Sequence, residues 1–391
     1  MGVRSQGTSP APATAKPAGR LLYVDNIRIF LTILVILHHL MVIYAGSGGW
    51  IYLEGREDRF TRLIGSWFCG SNQAYFMGLF LLVSAYFVPG SYDRKGPGKF
   101  LVDRLVRLGI PLAFYSWVLR PLLIYLGLRD ELGVSFWAWY THGYFRDYGL
   151  IGGGPLWFIE TLLIFSALYV VWRLVVRPAA PAPAAESRFP RSRTIALFAL
   201  LLGLASFLVR LQFPVNSRFA PLNLQLANLP QYIALFILGL LAYRRRWLST
   251  LSDATGKLWL GIGLLLIALN GPVQLLMGAA APTAPAPAGE VLMSLVAAEW
   301  EAFVCVGMCI GLVYFFRRHL DRQGPLAREL SRTAYTAYLI HEPVVTFAAL
   351  FAAGVMIYPL LKFLLAGLVL VPVCFALSSL IRRIPYADRV L

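Results

Sequence analysis

Ile27-Arg28-Ile29-Phe30-Leu31-Thr32-Ile33-Leu34-Val35-Ile36-Leu37-His38-His39-Leu40-Met41-Val42-Ile43-Tyr44 is the stretch that decides the fold. Its apolar run is long enough, at ~1.5 Å per helical residue, to cross the hydrocarbon of a bilayer. Two histidines sit in its middle. An imidazole in hydrocarbon is costly, and a helix that serves only as an anchor has no reason to carry one. Histidine is also the side chain best suited to moving a proton near neutral pH. Membrane-embedded chemistry or proton movement is therefore the first expectation.

The rest of the chain agrees. Of its 391 residues 58% are hydrophobic and 14% charged, with a mean hydropathy of +0.67. Soluble domains hold roughly 25% charged residues, so an integral membrane protein is indicated. Ten apolar segments are expected to span: Ile27–Ala45, Ala74–Val88, Ile110–Leu128, Leu156–Val176, Ile195–Leu211, Tyr232–Tyr243, Leu258–Met277, Val291–Phe316, Ala334–Ala353 and Ile357–Ile381. The sixth is the shortest and could begin near Leu229. The expected fold is an all-α polytopic bundle.

A net charge of +16 raises the question of nucleic acid, but the distribution of the charge argues against it. Sorted by alternate loops, 26 of the 35 Lys and Arg fall on one side and seven on the other, while Arg120 and Lys362 lie within proposed spans. Such a bias predicts that both termini are cytoplasmic and supports an even number of spans. Met1–Gly19 reads as a disordered Ala/Pro-rich tail without a cleavable signal, so residues 1–20 precede a membrane domain covering 21–391. The four cysteines have neither metal-ligand nor disulfide spacing, and Cys305 and Cys309 read as small packing residues. No metal is expected.

Pro178–Ala185 and Ala279–Gly289 read as linkers, and Gly46–Gln73 and Arg129–Gly154 as the long loops of the arginine-poor side. Those loops could shape a polar substrate site or serve as connectors with interfacial aromatics. Gly152-Gly153-Gly154-Pro155 lacks the Lys-Ser/Thr of a phosphate loop and reads as a flexible lead into the fourth span.

Four groups of residues could carry chemistry. On a helical wheel Arg28 and His39 lie about 20° apart and roughly 16 Å along the axis, whereas His38 points about 80° to the other side. Asp25 can pair with Arg28 one turn away. These groups could also be an interfacial anchor and helix–helix hydrogen bonds. Arg104 and Arg107, one turn apart at the basic mouth of the third span, read by spacing alone first as a positive-inside anchor, although their forks also suit phosphate oxygens. Tyr335, Tyr338, His341 and Glu342 precede Pro343, which leaves the Leu339 carbonyl without a helical donor and points to a lined cavity or a packing kink. Glu160, Glu299 and Glu301 should avoid lipid and could pair with the histidines or arginines.

At this point the chain resembles the membrane-bound acyltransferase-3 family. The matching residues are Tyr23-Val24-Asp25-Asn26-Ile27-Arg28 with His39 eleven later, Ser84-Ala85-Tyr86-Phe87, Arg104-Leu105-Val106-Arg107, Leu156-Trp157-Phe158-Ile159, and Ser331-Arg332-Thr333-Ala334-Tyr335-Thr336-Ala337-Tyr338-Leu339-Ile340-His341-Glu342-Pro343. The resemblance covers Leu21 to Arg383. Where the family often has Gly or Ala after the first arginine and Gly after the serine, this chain has Ile29 and Ala85.

The resemblance implies a multi-pass enzyme of the bacterial inner membrane. It would move an acyl group, commonly acetyl, from cytoplasmic acyl-CoA to a hydroxyl of a glycan or other envelope acceptor. The family's functional residues map to Arg28, His39, Arg104 and Arg107. On that footing Arg104 and Arg107, with Arg28, are expected to hold CoA phosphates. His39 is expected to act as general base or transient acyl carrier, with His38 the other candidate imidazole. His341 or a neighbouring tyrosine would polarise the thioester, and Glu160 or Glu299 would fix an imidazole tautomer. Two other readings stand beside this one: a transporter or flippase of a lipid-linked saccharide with proton-relay histidines, and a non-enzymatic scaffold or sensor.

Overall fold

The computed structural model describes residues 21–151, 153–176, 187–215, 217–219, 222–279 and 287–391. The Ala/Pro tail of residues 1–20, the linker residues 178–185, Gly152 and residues 280–286 of the second linker lie outside them.

The helices follow from apolar runs closed by identifiable residues. α1 (Leu22–Ala45) ends at Gly46, whose φ of 61° lets its N–H return to the Val42 carbonyl. α2 (Arg59–Tyr86) begins where Asp58 accepts the Thr61 N–H at 2.7 Å, a bond that holds this exposed carboxyl below its ordinary range. α3 (Val88–Arg104), bent at Gly96-Pro97, runs through a π-turn at Leu105–Gly109 into α4 (Ile110–Phe114), and through a second at Tyr115–Leu119 into α5 (Arg120–Leu132). Each π-turn is followed by a proline, which has no N–H for the carbonyl four residues back. Tyrosines take those carbonyls instead: Tyr335 donates to Arg107 at 2.5 Å, and Tyr140 to Trp117 at 2.9 Å.

The loop of the arginine-poor side holds α6 (Phe136–Trp139) and α7 (Phe145–Tyr148). α8 (Trp157–Val176) and α9 (Ser192–Gln212) precede a two-residue antiparallel hairpin, β1 (Arg218–Phe219) and β2 (Leu224–Gln225), in which Arg218 faces Gln225. Then come α10 (Leu229–Arg244), α11 (Trp247–Thr250), α12 (Asp253–Ala279), α13 (Pro287–His319), α14 (Pro325–Phe351), α15 (Pro359–Ile381) and α16 (Ala387–Val390).

The chain is thus an all-α polytopic membrane protein. Among the described residues eight helical stretches are long and apolar enough to cross a membrane. α2 and α14, at 28 and 27 residues, match them in length but are too polar to meet that measure. They fall where the second and ninth spans are expected, and the polarity has a reason: both line the site described below. One boundary differs substantially. The expected loop Gly46–Gln73 is helical from Arg59 onward, because α2 is amphipathic at its start and that stretch lacks the unbroken apolar run used to place spans.

α1 is the centre of the bundle and packs on α2, α13, α14 and α15. Its most apolar window is 72% buried, against 17% for α12 and 28% for α15, which sit at the periphery. Without a hydrophobic force between helices in lipid, close approach depends on small residues. A Cβ on Gly307 of α13 would lie 3.0 Å from the Gly263 Cα of α12, so this pair sets that crossing.

Candidate active site

A cavity of about 450 Å³ opens among the loops of the arginine-poor side, with the C-terminal half of α1 as its floor. His38 and His39 line it, together with Trp50, Gln73, Arg120, Arg210, Asn228, Glu301, Tyr338 and Glu342. The doubled histidines follow the wheel: neighbours on a helix diverge by about 100°, so only one of them can meet α14. That one is His39.

His39 Nδ1 lies 2.9 Å from His341 Nε2, and His341 Nδ1 lies 2.6 Å from the Tyr338 carbonyl oxygen. This chain sets the protons. The carbonyl can only accept, so His341 carries its hydrogen on Nδ1 and, as a neutral ring, accepts at Nε2. His39 must then donate from Nδ1, which leaves its Nε2 with a free lone pair. His341 is fully buried and His39 only partly, so the basic nitrogen belongs to the residue that lines the cavity.

Trp50 stacks on the His39 ring with centroids 4.3 Å apart and donates to Thr346 Oγ1 of α14 at 3.0 Å. It rides on the loop 46–58, which an ion pair fastens down. Lys362 Nζ meets Glu54 Oε1 at 2.6 Å with both side chains 5% exposed, and donates also to the Ala352 and Val355 carbonyls. Glu54 closes the loop through its N–H to the Ile43 carbonyl.

Two more ion pairs stand in the walls. Glu342 accepts from the Arg120 guanidinium and from the Tyr115 hydroxyl, and Arg120 donates to that same hydroxyl at 3.1 Å. Arg210 meets Glu301 at 2.5 Å and Asn228 Oδ1 at 3.0 Å. Glu301 thus takes an arginine, one of the two partner types the sequence allows it, whereas the sequence points to no partner for Glu342 and gives no role to Tyr115, Arg120 or Arg210 beyond the charge of the arginines. An arginine within an apolar span, as at Arg120, is the signal that could have found the first pair.

His38 is buried against Phe76 at 5.0 Å, and among the described residues its Nδ1 has no hydrogen-bond partner. Glu160 is placed away from the imidazoles: it accepts the Asn223 backbone N–H at 3.2 Å, under the hairpin. Glu299 packs on Gly203 of α9. The tautomer-fixing contact expected of these carboxylates is made by the Tyr338 carbonyl instead, three residues back on the same helix as His341.

Arg28, Arg104 and Arg107 gather at the other end of α1. Arg28 pairs with Asp25 at 3.6 Å and lies over the Phe87 ring at 4.9 Å, while Arg104 lies over Phe100 at 5.1 Å and within electrostatic reach of Arg107 and Arg28. None of the three lines the cavity. Between the two ends stand Phe80, Phe158 and Tyr338, with centroids 5.5 to 6.2 Å apart and the Tyr338 hydroxyl bound to the Pro155 carbonyl. Phe80 is one turn beyond cavity-lining Phe76, and Tyr338 is one turn from both Tyr335 and His341. In this structure His39 therefore faces the arginine-poor side, and an aromatic layer separates it from the arginines.

Among the described residues no three His, Cys, Asp or Glu gather as a metal site, and all four cysteines are free and buried. The arrangement offers a base facing a polar cavity and a cationic cluster one leaflet away. No curated protein and no solved structure matches the chain. A family model does, described as an acyltransferase domain and matching residues 21–379. It takes in α1 with both of its ends, the aromatic layer and the histidine chain, so that the chain belongs to the acyltransferase 3 family and is a membrane acyltransferase.

Proposed function

We propose that this acyltransferase takes its acyl group, in the first instance acetyl, from acyl-CoA on the arginine-rich side. It passes the group to a hydroxyl of a glycan or other envelope acceptor that enters the cavity from the opposite side. The membrane would be the inner membrane of a bacterium, with the arginine-rich face cytoplasmic. The observation that carries this reading is the hydrogen-bond chain Tyr338 carbonyl–His341–His39, which leaves a basic nitrogen facing the cavity.

The acceptor hydroxyl gives its proton to His39 Nε2 as its oxygen attacks the thioester carbonyl carbon. The carbon–sulfur bond breaks, the thiolate leaves, and the proton passes from His39 to the sulfur, so the imidazole ends as it began. Arg104 and Arg107, with Arg28, hold the CoA phosphates, for which guanidinium forks are suited. Separation of the two ends has a physical reason. CoA carries phosphate charges that cannot enter hydrocarbon, whereas its thioester arm can. The arm reaches His39 by displacing Phe80 and Tyr338.

Two measurements on the purified protein test this. Acetyl-CoA raises the melting temperature of the wild type, as a ligand of the native state must, and fails to do so in Arg104→Ala/Arg107→Ala. His39→Ala stays folded, keeps that thermal shift and loses transfer by ~10²- to 10⁴-fold, the range for removal of a general base. Undiminished acylated product from His39→Ala contradicts the role given to this residue.

A further inference from the structure

The geometry points to a second ligand site, for an anionic phospholipid, in a groove between α8 and α10 on the outside of the bundle. The groove measures about 540 Å³ and is walled by Leu168 and Trp172 of α8 and by Ile233, Ile237 and Leu241 of α10. Leu168 is 58% exposed and Ile237 48%, so the walls face the membrane rather than a neighbouring helix. It shares no lining residue with the histidine cavity.

What distinguishes this groove from a plain lipid-facing surface is its end. Arg244 closes it, next to Tyr169 and Pro89. Asp93 there receives two guanidiniums, Arg244 at 2.7 Å and Arg173 at 2.9 Å, and both arginines also donate to the Tyr169 hydroxyl, at 3.4 and 2.9 Å. Two cations share one carboxylate, so the cluster keeps a positive charge at the mouth of an apolar channel. The Tyr92 ring, 4.6 Å from Arg173, holds that guanidinium in place.

Length fits as well. From Ile233 to Arg244 the helix advances by about 16 Å, close to half of the ~30 Å hydrocarbon thickness, which is one leaflet. An acyl chain laid along α10 thus brings its headgroup phosphate to Arg244 and Arg173. The cluster sits at the arginine-rich ends of both helices, and basic pockets between spans on that side suit anionic headgroups. A zwitterionic lipid fills the groove equally well but brings its own cation to the cluster.

Native mass spectrometry of the full chain, in detergent containing equal amounts of phosphatidylglycerol and phosphatidylcholine, tests the site. Phosphatidylglycerol should be retained about fivefold over phosphatidylcholine, the factor that one unbalanced arginine supplies. Arg173→Gln/Arg244→Gln should remove the preference. Ile237→Trp, which leaves the charges and fills the groove, should lower retention of both lipids, so the site remains testable if the double variant does not fold. Equal retention of the two lipids by the wild type overturns the assignment. So does a preference that survives Arg173→Gln/Arg244→Gln, or retention of both lipids that Ile237→Trp leaves unchanged.

Discussion

His39 differs from His38 by one position and about 100° of helix, and that rotation decides which imidazole meets α14. Its reactivity then depends on a residue 302 positions away, since His341 Nε2 is what receives the His39 Nδ1 proton. His341 is in this sense a positioning residue, acting through His39 rather than on substrate. His341→Gln keeps an oxygen able to accept from His39 Nδ1, whereas His341→Phe does not. Transfer by His341→Phe should fall by about 10- to 100-fold, the cost of losing an orienting partner, while His341→Gln retains most of the activity. Parallel pH–rate profiles for the two variants show whether the loss lies in the state of His39. Equal loss in both, with unchanged profiles, assigns His341 to packing alone.

At this scale the sequence was informative where both partners sit on one helix. Arg28 and His39 on a common face follow from the 3.6-residue period. The contact between His39 and His341 does not, because helical depth places two residues at one level without saying which faces meet. Glu160 was misdirected for a related reason. A carboxylate in an apolar helix demands a partner, and the donor that satisfies it is a backbone N–H of the hairpin, which no side-chain pattern announces.

Among the elements, α2 and α14 frame the histidines of α1 and are more polar than the eight stretches long and apolar enough to cross a membrane. The loop 46–58 is the third element that matters, because it sets Trp50 on His39. The ion pair that fastens this loop joins residues 308 positions apart, beyond any local reading, although Lys362 within an apolar span was a visible anomaly. Lys362→Met leaves the buried Glu54 only the more exposed Arg56, 3.6 Å away, as a cation and should cost about 3 kcal/mol of stability. Lys362→Met/Glu54→Leu removes both charges and should recover most of that loss. Thermal unfolding in one detergent compares the three proteins. A double variant no more stable than Lys362→Met would show that the loop is held by something other than this pair. Transfer by Lys362→Met should fall with the loosened Trp50, at unchanged acetyl-CoA-dependent stabilisation.

Across the whole molecule, opposite chemistries occupy the two ends of one central helix: arginines beside Asp25 and Phe87, histidines in the cavity, and an aromatic layer between them. The charge bias along the chain already separated the two faces, and the hydropathy already gave the number of long helices. What the sequence withheld was the direction in which the cavity opens, since that depends on where the loop 46–58 and Gly154-Pro155 come to stand around it. Transfer across the bilayer is the function we propose, and sidedness is what tests it. Proteoliposomes would hold labelled acetyl-CoA on the arginine-rich face only, with envelope glycans extracted from the native cell on the other. The wild type should label the glycans across the membrane and His39→Ala should not. Label passing equally in both proteins, or only when donor and acceptor share a face, would contradict proton removal by His39 as the acyl group crosses.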